Sequence, residues 1–535
     1  MGILEKPQTQ YISPRVMSAS IRISSGLEAW RFSAKGIALR LFVTCWLVFV
    51  LHVATNTVRE IYLALAIGDH LSFRVDEYAN MHPDLFEKPG YGWHIGNNPG
   101  ASMVGAIPYA IARPVLDRVV AAVQRDRSAN GQISPPPYNS PWPMAREFYA
   151  EAWRRGYDVK FGLAAIVMQA LAMAPISALG TVTMFFLLRL LFWSDRTALG
   201  LSLLYAFGTP VFFRTGYLNQ NLMLGHVAFA GLLVLWNPRD WLKWSARTRY
   251  LLGGLAGGAA VLFDYSGVVL LLGLFLYGLA RRLPLRSAVD LMRAGAWYVL
   301  GTIGPVALLW FYQWRSFGNP FLPGQHWMPP VEWSDLGYQG FGPPQLDLLV
   351  SLAFDYRYGL FLSSPLILLA FLCPFLDCGS RPVLPRLELI AMLAIFVGFW
   401  LFFSGSNYTR LQFNTGVRYM SPMVPFLFVP SVVVLVRLPR LAIYLIAVLS
   451  VMEAWSLAMY RDVERGLGLL EPVLHVLFGG FQLPVLTTLS RMGGTYGDYF
   501  EHGVSPLPLF LLTGALLYGL WMTPCSDRGE SIAHR

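Results

Sequence analysis

Apolar residues run along this chain in long blocks broken by short polar or basic punctuation, with little strict alternation. Blocks of roughly 17 or more residues suit bilayer-crossing helices, since a rise of about 1.5 Å per residue must cover about 30 Å of hydrocarbon. Length and breaks place spans near Gly36–Thr57, Phe161–Leu191, Ala198–Phe213, Leu222–Trp236, Tyr250–Phe263, Gly267–Ala280, Ala296–Trp314, Leu360–Leu376, Leu387–Phe403, Met423–Val436, Leu441–Met459 and Leu507–Met522. The pattern predicts an all-α integral membrane protein with about twelve transmembrane helices. Where two short runs abut, as at Asp264-Tyr265-Ser266, a broken or tilted helix is the alternative. One membrane domain over 36–522 then lies between tails at 1–35 and 523–535.

Composition agrees. Hydrophobic residues make up 55% of the chain and charged ones 13%, against roughly 25% charged in an average soluble domain, so no large water-soluble domain fits. Basic residues mark orientation. Arg15, Arg22, Arg31 and Lys35 precede the first span; Arg239, Lys243, Arg247 and Arg249 follow the fourth; Arg281, Arg282, Arg286 and Arg293 follow the sixth; Arg437 and Arg440 sit in a later turn. With alternating spans all fall on one side, which short basic loops make the cytoplasmic side of a plasma membrane, with both termini. The long segments near 58–158, 315–358, 404–422 and 460–505 then face outward. Topology thus accounts for the net charge of +10, and no basic stripe with interleaved aromatics calls for nucleic acid.

The first 35 residues lack an apolar core followed by a small-residue cleavage site, so the first span is expected to act as an uncleaved anchor. Cys45 and Cys373 fall in spans and Cys378 and Cys525 on the cytoplasmic side, which leaves the outer loops no disulfide framework. Gly253-Gly254 and Gly257-Gly258 have the spacing of close helix packing.

Chemistry concentrates in the outer segments. The first carries Arg59-Glu60, a short interfacial helix over Ile61–Ile67, Asp76-Glu77, His82 and Asp84. It continues into Gly90–Gly100 with His94, then an apolar helix over Ala101–Ala112. Carboxylates beside histidines and aromatics suit a carbohydrate or general-base site; the alternative is a solvated loop with interfacial aromatics. His226, inside the fourth span, is expected to hydrogen-bond between helices. Arg357 and Arg418 sit where outer loops enter the lipid, a position that suits a guanidinium fork to phosphate; the alternative is snorkelling to ordinary lipid headgroups.

The order of these motifs carries a resemblance. The acid-bearing first loop with its Gly90–Gly100 turn, Phe317-Gly318-Asn319-Pro320, Arg357-Tyr358-Gly359-Leu360-Phe361 with Ser364-Pro365, and Gly416-Val417-Arg418-Tyr419 before Pro422 and Pro425-Phe426-Leu427 together resemble the GT-C superfamily of polytopic membrane glycosyltransferases. The nearest branch in style is that of the protein O-mannosyltransferases and lipid A aminoarabinose transferases, and the likeness runs from the first span to about the tenth. The resemblance implies inverting transfer of a sugar from a polyprenyl-phosphate donor to a hydroxyl of a glycan, lipid or protein on the outer face. One carboxylate takes the acceptor proton and cations stabilise the departing phosphate. The family usually has its catalytic Asp, often as Asp-Glu, directly after the first span, whereas this chain reads Asn56-Thr57-Val58-Arg59-Glu60. Glu60, Asp76 and Asp84 therefore stand as alternative bases, with Arg357, Arg418, His94, Glu77 and Tyr419 as substrate-binding candidates. No cofactor is required, though a divalent metal is compatible. A lipid or solute transporter is the rival reading, kept open by Asp264 and Glu453 inside apolar stretches.

Overall fold

A computed structural model describes residues 33–283, 287–379, 382–412, 414–492 and 503–523. It is built of helices, and one stands wherever an apolar block predicts it. Among the described residues, five helices are long and apolar enough to cross a bilayer: Ala34–Leu51 (α1), Asp158–Phe192, Ala288–Phe317, Arg386–Ser404 and Arg440–Met459. A sixth arises if Leu470–Gly479 and Pro484–Arg491, bent by 75°, count as one span. Length and hydropathy therefore support five or six crossings and not the twelve expected. The difference lies largely in helices of 10–17 residues such as Gln220–Trp236, Gly267–Ala280 and Leu507–Met522. The block expected to run to Phe213 stops at Phe207, where Gly208, Thr209 and Pro210 turn the chain.

Local chemistry explains the elements near the site. Ser33 caps α1 by accepting from the Gly36 amide at 3.2 Å. After α1 the chain turns into Arg59–His70 (α2), where Glu60 occupies the first turn, the end of a helix dipole that favours a negative charge. The expected interfacial helix is thus present but not lipid-laid, because Glu60 through Ala66 are all buried in the protein. The polar loop holds a hairpin the sequence reading did not anticipate, Leu85–Lys88 (β1) against Gly92–Ile95 (β2), with Phe86 opposite His94. Gly92 has φ +92°, and a Cβ there would lie 2.5 Å from Asp76 Oδ1, so the close contact admits only glycine. The helix expected over Ala101–Ala112 extends to Gly100–Ala129 (α3).

Glycine spacing does set helix packing. A Cβ on Gly254 would meet the Tyr298 carbonyl oxygen at 1.9 Å, so helices Ala246–Phe263 and Ala288–Phe317 touch backbone to backbone. Within Asp158–Phe192, Gln169 opens the π-helical turn Gln169–Met173, and its side-chain Nε2 donates to the carbonyls of Phe49 and Thr215 at 2.9 and 3.0 Å, tying three segments together.

Candidate active site

Two of the three candidate bases meet on one cation. Arg59 Nη1 lies 2.6 Å from Asp84 Oδ2, and its Nε lies 3.2 Å from Glu60 Oε1. The guanidinium is nearly enclosed, and both carboxylates hold it charged against the burial that would otherwise strip its proton. Asp84 is the more accessible acid, with 31% of its side chain exposed against 7% for Glu60. Burial alone would push the Asp84 carboxyl up, but Arg59, then His82 and Arg418, pull it down to about 2. His82 Nδ1 accepts from the Asp84 amide at 3.1 Å. Burial, opposed by Asp84 and Glu60 and reinforced by Arg59 and Arg418, lowers the His82 pKa and so favours the neutral ring.

Arg418 faces this group from the segment before helix Ser421–Leu435. Among the described residues its guanidinium has no carboxylate within 4.0 Å and makes no hydrogen bond; its one close partner is the Tyr419 ring, 5.1 Å away. Tyr419 donates from its hydroxyl to the Tyr408 carbonyl at 3.3 Å and its ring packs 5.2 Å from Phe403. The segment is held from below by Arg214, which is 1% exposed. Arg214 donates to the carbonyls of Val417 and Gly416 at 2.6 and 2.5 Å and to the Tyr217 hydroxyl at 2.6 Å. The expected span ended at Phe213 and Arg214, the next residue, was given no role, although an arginine at the edge of an apolar block is itself a signal.

The remaining candidates sit elsewhere. Asp76 accepts from the Trp93 amide at 2.7 Å and pairs with Arg74 at 2.7 Å, stapling a turn onto the hairpin. His94 is fully buried with both ring nitrogens on carbonyl oxygens, those of Phe73 and Tyr91, so it braces the hairpin. Arg357 turns its fork back on Asp355, with two contacts at 3.2 Å, and its carbonyl accepts from the Gly416 amide. Glu77 lies 3.7 Å from His70. With Asp69 these two bring ligand atoms within 4.8 Å of one another, the one grouping with metal-site spacing among the described residues. It does not suit a cation. Asp69 is already engaged by Lys160 at 2.7 Å, Arg113 at 3.2 Å and the Tyr109 hydroxyl at 2.8 Å, so an added dication would meet two positive charges.

His226 does not make the interhelical bond expected of it. Its Nε2 is buried without a partner, and the ring fills the space left by Gly180. Asp264 is not an isolated membrane charge either, since it accepts from the Ser266 amide and hydroxyl at 2.9 and 2.7 Å and from the Gln220 amide at 2.8 Å.

No family model, curated protein or solved structure matches the chain. The functional reading therefore rests on residues and geometry.

Proposed function

We propose that this chain is an integral membrane glycosyltransferase of the GT-C type, with about twelve crossings, both termini cytoplasmic and its site on the outer face of the plasma membrane. Several short helices would cross as bent or paired segments. The donor is a sugar on a polyprenyl phosphate and the acceptor a hydroxyl of a glycan, lipid or protein. The observation that carries this reading is Arg418, a cation with no ion pair among the described residues, beside two carboxylates that share Arg59. An arginine fork left open in this setting fits a phosphate.

In the proposed step Asp84 is the base, being ionised and the better exposed of the pair. The acceptor oxygen gives its proton to the Asp84 carboxylate and bonds to the anomeric carbon with inversion. The bond from that carbon to the phosphate oxygen breaks, and its electron pair leaves with the polyprenyl phosphate, which Arg418 stabilises. Purified protein in liposomes carrying a polyprenyl-phosphate sugar tests the reading: release of polyprenyl phosphate coupled to glycosylation supports it. A transporter is the second reading, favoured by Glu453, whose Oε1 is buried without a partner inside helix Arg440–Met459. Movement of lipid or solute across the liposome with no sugar transfer would favour it.

A further inference from the structure

Behind Glu60 runs a buried chain of hydrogen bonds that the proposed step does not use. Asn97 Nδ2 donates to Glu60 Oε1 at 3.4 Å and to Gln220 Oε1 at 3.1 Å; Gln220 Nε2 donates to Asp264 Oδ2 at 2.8 Å. Asp264 Oδ1 is fixed by the Ser266 amide and hydroxyl. Asn97 and Gln220 are 7% and 5% exposed. The chain joins the first outer loop, the start of helix Gln220–Trp236 and the break between helices Ala246–Phe263 and Gly267–Ala280.

We infer that Asp264 is a positioning residue, acting through Gln220 and Asn97 to keep a donor aimed at Glu60 and hence to hold the Glu60–Arg59–Asp84 group in register. The inference rests on the proposed function only for its effect on turnover. An amide presents an acceptor on one side and a donor on the other, so its direction is set by whichever end is fixed. A carboxylate offers acceptors only, and with one oxygen held by Ser266 the other obliges Gln220 to present Nε2. Gln220 then presents Oε1 to Asn97, and Asn97 must present Nδ2, the group that stabilises a carboxylate at Glu60. An asparagine at 264 has one acceptor, already used by Ser266, and would set a donor against Gln220 Nε2. The amides would then be free to reverse and turn an oxygen toward Glu60. The other charged or titratable groups around Glu60 are Arg59 on α2, His82 and Asp84 from the loop, and Arg418 and Tyr419 across the site.

The test titrates the Glu60 carboxyl by isotope-edited infrared difference spectroscopy, full-length parent against Glu60→Gln, a readout that needs no activity. Through space alone, Asp264→Asn removes a negative charge and lowers the Glu60 midpoint; through the chain it removes a donor and raises it by about one pH unit. A rise is expected. Gln220→Met, which changes no charge, should give the same rise, and adding Asp264→Asn to it should give no further rise. A fall or no change in Asp264→Asn alone, or an undiminished rise when Asp264→Asn is added to Gln220→Met, overturns the inference. Should Asp264→Asn not fold, Gln220→Met with an unmoved midpoint overturns it alone. In the transfer assay Asp264→Asn should lower kcat about tenfold with donor KM unchanged. Absence of transfer by the parent overturns the proposed function while the titration still decides this inference.

Discussion

Two acid-rich groups form around residues 59–84 of this protein, and they differ in one respect that matters. Around Asp69, Lys160 and Arg113 meet a single buried carboxylate, with Glu77 and His70 beside it. Around Arg59 two carboxylates share one cation, and Arg418 stands opposite with no ion pair among the described residues. The first group is closed, since its charges satisfy one another and its geometry locks α2 to α3 and to Lys160. The second holds a cation that no described carboxylate answers. Acids and histidines in a loop therefore do not by themselves mark a site; an unanswered charge beside them does.

That contrast can be broken by experiment. The largest effect expected is at Asp84: Asp84→Asn keeps the shape but cannot take a proton, and should lower transfer by roughly 10²–10⁴-fold. Asp76→Asn, by contrast, should stay within about threefold of the parent, measured as product formed in liposomes. On the closed side the cost should appear as stability. Asp69→Asn leaves Lys160 and Arg113 with unmatched charge at a mostly buried position, and should destabilise the fold by about 3–5 kcal/mol, read as a lowered thermal midpoint in detergent. A loss of transfer without a loss of stability in Asp69→Asn would reverse the roles assigned to the two groups.

A smaller effect is expected at the open cation. Arg418→Lys keeps the charge but loses the planar fork, and donor binding should weaken about tenfold or more if a contact worth about 1.5–3 kcal/mol is lost. Arg357→Lys should bind donor nearly as the parent does, because that fork is spent on Asp355. Equal losses at both would mean that the Asp355 pair opens to donor.

The smallest effect concerns pH. His82 has a lowered pKa in the fold, so below its ordinary value of 6.5 the unfolded chain binds a proton that the folded site resists, and stability falls as the pH drops. Thermal midpoints of the parent should decline between pH 7 and pH 5 more steeply than those of His82→Gln. Asp84, held near 2, stays ionised over that range; its contribution is present above its ordinary value and is lost only as the pH falls through about 2.

Much of the helical framework could be read in advance because apolar blocks are local, and Gly254 announced its close approach by spacing alone. The Glu60–Arg59–Asp84 group was half legible: all three residues were in view, but residue 84 returns to residue 59 through the largely irregular stretch 71–84, which has no periodicity to read. Asn97, Gln220 and Asp264 meet across 123 and 44 residues of chain, and no local pattern records such contacts. His94 and Asp76 misled for the converse reason, since a histidine or acid that braces a turn has the same sequence signature as one that binds a ligand.

In the proposed function the Asp84 group, and not the Asp69 group, meets the donor. A polyprenyl phosphate carrying a photoactivatable group next to its phosphate, bound to the purified protein in liposomes and irradiated, would mark its neighbours for peptide mapping by mass spectrometry. The label should fall on the peptides holding Asp84 and Arg418 and be displaced by unmodified polyprenyl phosphate. Displaceable label on the Asp69–Glu77 stretch, with none at Asp84 or Arg418, would contradict it.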